Sequence, residues 1–150
     1  MDSPDRIFVK RAFPKISDDF AVTSPQSPLY NCVAWAAGDD SRWWEPDAQG
    51  NYFWPEGIPR DYSIAAYVAA YKTIGYTEIS IDDDFKDCEV VAIFEADGKG
   101  THAARSVGED FWTSKLGRSF DIKHRLRDLE GKIYGNLRVI MSRPQKLPGV

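Results

Sequence analysis

The sequence predicts an α+β domain, with N-terminal helices packed on a small, mostly antiparallel sheet. Three observations predict it. Helical spacing of apolar residues falls in the first half of the chain. Short β-branched and aromatic runs, separated by turn residues, fill the second half. Helices followed by strands, without βαβ alternation, give segregated layers and not a doubly wound sheet. The chain has 150 residues, of which 43% are hydrophobic and 13% aromatic. A chain of that length buries roughly two thirds of its unfolded surface, so one core suffices without disulfides.

The elements follow in order. Residues 1–28 hold Pro4, Pro14, Pro25 and Pro28, and read as an extended arm lying on the domain, with residues 29–150 as the single α+β domain. Tyr30 to Ala37 is rich in alanine and ends at Gly38. This predicts a short helix, capped by Ser27 or Asn31, with Cys32 in its first turn. From Asp39 to Arg60, tryptophan, proline and glycine are dense, which predicts a long loop packed by its own aromatics. Ile64, Tyr67, Val68, Tyr71 and Ile74 recur at helical spacing before Gly75, predicting a helix over Ser63 to Ile74. Strands are expected at Val90–Phe94, Thr101–Val107 and Phe111–Leu116, the last two joined by a hairpin at Gly108. A short helix is expected over Ile122–Leu129, and a last strand over Leu137–Met141.

Charge and composition narrow the partners. The formal net charge is −4, and the basic residues are scattered apart from a modest cluster between Lys115 and Arg127. A nucleic-acid binder needs a concentrated positive surface, so no nucleic-acid partner is expected. No apolar run approaches the roughly 20 residues that span a bilayer, and Met1-Asp2-Ser3-Pro4-Asp5 is not a signal pattern. The expectation is a soluble, cytoplasmic protein, with export that needs no cleaved signal equally compatible. The two cysteines and two histidines have no zinc spacing. Asp82-Asp83-Asp84 lacks the spaced ligands of a calcium loop and reads as a solvated acidic turn. No metal or other cofactor is expected.

A chemical centre emerges from Cys32 and His102. A thiol attacks as thiolate, and a helix start lowers its pKa through free N–H groups and aligned peptide dipoles. Cys32 is predicted there; Cys88, between Asp87 and Glu89, has no such support. The usual base for a thiol is histidine. His102 opens a predicted strand after Gly-Lys-Gly, whereas His124 lies in a charged stretch and is expected at the surface. For orienting the imidazole, Asp121 offers a carboxylate, and Ser114 lies diagonally from His102 if the hairpin loop holds three residues. The Cys32 backbone N–H and the Gln26 side chain are candidate oxyanion donors.

These residues carry a resemblance. The segment Gln26 to Trp35 and the later His102 resemble the papain-like cysteine peptidase superfamily, including its Gln-to-Cys spacing. The order Cys, His, polar residue is similar to the compact cell-wall endopeptidases and amidases of that superfamily, whose third residue falls close to where Ser114 stands. The chain departs from that pattern at Asn31 and in lacking a glycine after the cysteine. More closely, Tyr30-Asn31-Cys32-Val33-Ala34-Trp35-Ala36-Ala37-Gly38, Thr101-His102-Ala103-Ala104-Arg105 and Trp112-Thr113-Ser114-Lys115-Leu116-Gly117 look like an uncharacterised bacterial domain family. That resemblance runs from Tyr30 to Arg143 and implies no activity.

Together these readings lead to an expected thiol hydrolase or acyltransferase acting on an amide bond, as a peptidase, amidase, deamidase or transglutaminase. Its substrate would be a peptide or other amide-containing molecule, and a small domain of this kind could serve as a toxin or effector. Each residue also has a plainer reading. A free cysteine among Ala, Val and Trp is commonly core. Asp121 can cap the expected helix at Ile122, and Ser114 can be an ordinary strand residue. Trp43, Trp44 and Trp54 can line a substrate groove or simply pack their loop. The alternative function is therefore a non-catalytic binding module that uses the Trp/Tyr-rich loop 43–54, or a structural subunit that self-associates.

Overall fold

Burial along the strands alternates only weakly, and the reason is visible in the computed structural model: the central strands are covered on both faces. The structure describes residues 3–24, 27–83, 87–108, 110–116 and 119–145. Among them, seven strands form one open antiparallel sheet. They are β1 (Ala21–Ser24), β2 (Thr77–Ile79), β3 (Cys88–Ala96), β4 (Lys99–Gly108), β5 (Phe111–Lys115), β6 (Asp121–Arg125) and β7 (Asn136–Pro144). Their order across the sheet is β1-β6-β5-β4-β3-β7-β2. Three helices accompany them: α1 (Pro4–Ala12), α2 (Cys32–Ala36) and α3 (Ile64–Lys72). The architecture is α+β, as expected, with a larger sheet than the sequence suggested.

The N-terminal arm differs from expectation. Pro4 does not break a helix but starts one, because a proline in the first turn gives up an N–H that has no helical partner anyway. Ser3 caps α1 by accepting from the Arg6 N–H. Short α2 forms as predicted, and Asn31 is its cap. The Asn31 Oδ1 accepts from the N–H groups of Ala34 and Trp44, each at 3.1 Å, while Nδ2 donates to the Trp44 carbonyl at 2.6 Å. One side chain thus satisfies a helix start and ties it to the aromatic loop. Ser63 caps α3 in the same way.

Residues 122–129 are not a helix. The first four belong to β6, and the chain turns after Arg125. Pairing with β5, from Phe111↔Arg125 to Lys115↔Asp121, consumes the backbone groups that a helix would have used. The edge strands β1 and β2 are too short and too mixed in polarity to be seen in the sequence.

Register divides the side chains between two faces. On β3 and β4, Ile93 lies opposite Ala103, and Phe94 opposite His102. The inner face carries Val91, Ile93, Ala103, Val139 and Met141, which pack with α2, α3, Trp44 and Trp54 in one apolar cluster. The outer face carries Val90, Ala92, Phe94, Ala104, Trp112 and Ile140. At one end of that face, Val9 of α1, Phe13 and Phe20 cover Leu116, Phe120 and Ile122.

Candidate functional site

Cys32 lies where the sequence put it, at the first residue of α2, on the inner face of the sheet. It is only 9% exposed. Burial pushes its thiol up to about 11, although the N–H groups of Ala103, Val33 and Cys32 itself and the charge of Lys115 pull the other way. The favourable groups of a helix start are present, but desolvation outweighs them. Cys88 is also a free thiol.

His102 is not beside Cys32. Ala103 belongs to the cluster that contains Cys32, and its strand neighbour His102 projects to the other face, because successive strand side chains alternate. There His102 is fully buried. It stacks on Tyr134 with centroids 3.9 Å apart and planes 11° apart, and Phe13 also stacks on Tyr134, at 5.4 Å.

Ser114 joins His102, as the hairpin geometry allowed, on the face away from Cys32. Its Oγ lies 2.9 Å from His102 Nε2 and 2.6 Å from His124 Nε2. His124, expected at the surface, is fully buried. It pairs with Trp112 across β5 and β6 and projects with it from the outer face under the layer that covers it, so its charged sequence neighbours Lys123 and Arg125 point to the other face. His124 Nδ1 lies 2.7 Å from the Arg125 carbonyl. A carbonyl only accepts, so Nδ1 carries the proton and Nε2 is a bare acceptor. It follows that Ser114 donates to His124 and accepts from the N–H at His102 Nε2. The remaining His102 nitrogen, Nδ1, is buried with no hydrogen-bond partner. Burial, and then the neighbouring His124, holds the His102 ring well below the usual imidazole range; burial holds His124 at about 4, against the raising effects of the Arg125 carbonyl and Asp128.

Asp121 is brought to neither histidine. It faces Lys115 directly across β5 and β6, on the inner face by the alternation that also puts Thr113 opposite Arg105. Its Oδ2 accepts from the Tyr30 hydroxyl at 2.9 Å, and its Oδ1 is buried with no hydrogen-bond partner. The Tyr30 phenol is pushed up to about 12 by burial and by that carboxylate. Lys115 is fully buried and donates to the Ser27 carbonyl at 2.7 Å. Sequence reasoning missed this lysine. Its signal was the same alternation, read from Lys115 to its strand neighbours. Gln26 and Asp84 lie outside the described residues.

The aromatic loop is mostly interior. Trp44 and Trp54 are each 4% exposed. Their indole N–H groups donate to Asp39 and to the Pro59 carbonyl, at 2.9 and 3.0 Å. Trp43 is half-buried and donates to Glu45. Arg42 lies over the Phe53 ring at 3.5 Å. This is the packing reading of the loop, with its polar tips satisfied internally.

Beside the loop, Pro46, Ala48, Arg60, Tyr62 and Lys99 line an opening of about 530 Å³, and two others lie elsewhere. A cleft of about 830 Å³ lies at the end of the outer face away from α1, among Cys88, Ser106, Trp112, Leu126, Ile81 and Val107. Arg105, Arg125, Asp87 and Asp110 also line it. A smaller one, about 360 Å³, shares Ile81 and lies beside β2 and β7. Neither is lined by Cys32 or His102. Among the described residues, no three His, Cys, Asp or Glu side chains are grouped as a metal site requires, and no helix is long and apolar enough to cross a membrane.

Residues 21–142 match the model of a domain family described as a domain of unknown function, DUF7689. The chain belongs to that family. No curated protein and no solved structure matches it. The DUF7689 match begins at Ala21, the first residue of β1, so the family segment contains the whole sheet but for the end of β7, together with α2 and α3, while α1 precedes it.

Proposed function

We propose that this domain is a non-catalytic binding module, and that a short peptide segment bearing an apolar side chain occupies the outer cleft. The observation that carries this reading is the position of Cys32 and His102 on opposite faces of one sheet. A thiol and its base must approach within hydrogen-bond reach of each other, and here a layer of backbone lies between them. Both rings of the histidine pair are engaged in the interior, and the thiol is held protonated at neutral pH.

Several features support the outer cleft over the aromatic loop as the contact surface. Its volume lies in the range of ordinary ligand pockets. Trp112 and Leu126 give it an apolar lining. Ile81 and Val107, 43% and 54% exposed, stand at its border as unusually bare hydrophobic side chains. The rim offers both signs of charge, which suits the mixed polarity of a peptide better than a polyanion.

A displayed library of short random peptides tests the proposal. Peptides enriched on the wild-type protein are expected to lose binding to Ile81→Asp and Val107→Asp, whose exposed positions tolerate the change. Enriched peptides that bind both variants as well as wild type would remove the cleft from consideration.

A second reading, thiol chemistry at Cys32 on an amide, has one observation in its favour. Three N–H groups and the Lys115 charge all act on the Cys32 sulfur, with Asp121 opposite Lys115. In that reading, groups on the inner face would serve Cys32, and His102 would take no part.

A further inference from the structure

We propose that His102, Ser114 and His124 form an acid-operated latch that keeps the outer layer closed while both rings are neutral and releases it when both are protonated. The outer layer here means α1, Phe13 and the turns between Arg125 and Gly135.

Hydrogen-bond logic carries the inference. In the neutral state one direction runs through the relay: His102 Nε2–H donates to Ser114, Ser114 O–H donates to His124 Nε2, and His124 Nδ1–H donates to the Arg125 carbonyl. One added proton can be accommodated. It sits on His124 Nε2, which then donates to Ser114; the serine hydroxyl turns to donate to His102 Nε2, and the His102 proton moves to Nδ1. A second proton cannot. Both rings then present Nε2–H to one serine oxygen, the hydroxyl hydrogen loses its acceptor, and two like charges share a buried site.

The relay grips the outer layer at two points. His102 is stacked on Tyr134, on which Phe13 also stacks. His124 holds the Arg125 carbonyl, where the chain leaves β6. Asp128 adds a third tie: it accepts from the Arg125 N–H at 2.8 Å and from the Ser17 hydroxyl at 3.0 Å.

The charged groups around the relay do not neutralise it. From β3, His102 meets Phe94, and from the turn it meets Tyr134. His124 meets Trp112 from β5 and feels Asp128, the carboxylate that opposes the effect. The Arg125 guanidinium is committed to Asp19, at 2.6 Å. Lys115, Asp121 and Lys123 belong to the other face. Both rings titrate below the ordinary value, so the unfolded chain binds more protons than the folded one. Stability is therefore full above about 6.5 and falls as the pH drops towards 4. Arg125, Leu126 and Arg127 wall the outer clefts, so release reshapes them, but the latch does not depend on what they bind.

Amide hydrogen exchange on the full chain, corrected for intrinsic rates, tests the proposal between about pH 7 and about pH 4.5. Protection over residues 4–13 and 126–135 is expected to fall by at least about tenfold at the lower pH, while β3 and β7 stay protected. In the double variant His102→Gln/His124→Gln, the amides replace the ring hydrogen bonds without titrating, and protection is expected to persist. Equal loss in wild type and variant, or no loss in wild type, overturns the latch. Should the variant not fold, the wild-type imidazole resonances decide. Proton uptake by both rings coincident with opening supports the latch, and ordinary titration near 6.5 in a closed protein overturns it.

Discussion

A thiol reacts through its thiolate, and a buried thiol displaced to about 11 has little of it at neutral pH. With Cys88→Ser as background, iodoacetamide is expected to alkylate Cys32 roughly tenfold to a hundredfold more slowly at pH 8 than a free thiol of about 8.5. The rate in His102→Gln is expected to match wild type, because that ring lies across the sheet. A reactivity midpoint at or below the free-thiol value, lost in His102→Gln, would restore the Cys32–His102 pair and sink the binding-module reading. Asn31 shows the complementary case, in which one polar side chain serves structure alone. Its three bonds close a helix start and a loop at once, and a buried amide so engaged is costly to remove.

Among the elements, the turn between Gly131 and Gly135 leaves no room for a side chain at its second glycine. The two glycines exchange backbone hydrogen bonds at 3.0 and 2.9 Å, which aims Tyr134 over His102. Thr101 donates to the Tyr134 carbonyl and pins the turn to β4. Gly135 has a φ of +74°, and a Cβ there would meet the Glu95 carbonyl oxygen at 1.9 Å. Backbone cannot yield as a side-chain tip does. Gly135→Ala is therefore expected to destabilise the fold by about 3 kcal/mol or more, read from the urea midpoint. A variant within about 0.5 kcal/mol of wild type, the range of a neutral surface change, would show that the turn adjusts freely. Gly100 is a milder instance, where a Cβ would press on the Tyr67 ring at 2.9 Å.

For the whole molecule, the sheet is closed unevenly. α2, α3 and the aromatic loop cover the inner face, while α1 with the segment after it covers one end of the outer face. Val9 is fully buried and Phe13 is 4% exposed. Fully burying such side chains contributes about 1.5–3 kcal/mol each, so deleting residues 1–13 is expected to cost about 3–6 kcal/mol in urea unfolding. An unchanged midpoint would show that α1 adds nothing to the family core that begins at Ala21.

Sequence pattern by itself determined the α+β class, the two helices after residue 30, with Asn31 as one of two cap candidates for the first, and the existence of the central strands. These depend on local signals: cap chemistry, 3.6-residue spacing and β-branched runs. It also placed Cys32 correctly at a helix start and Ser114 near His102. Only the tertiary structure decided which face each side chain takes. Val90 to Phe94 is apolar at every position because both faces are covered, so no polar alternation marks the inner side. His102 therefore read equally well on either face, and the face away from Cys32 is the one it occupies. The burial of His124 and Lys115 was hidden for the same reason: charged neighbours in the sequence said surface, while pairing across β5 and β6 put each ring or ammonium under a layer that arrives from elsewhere in the chain.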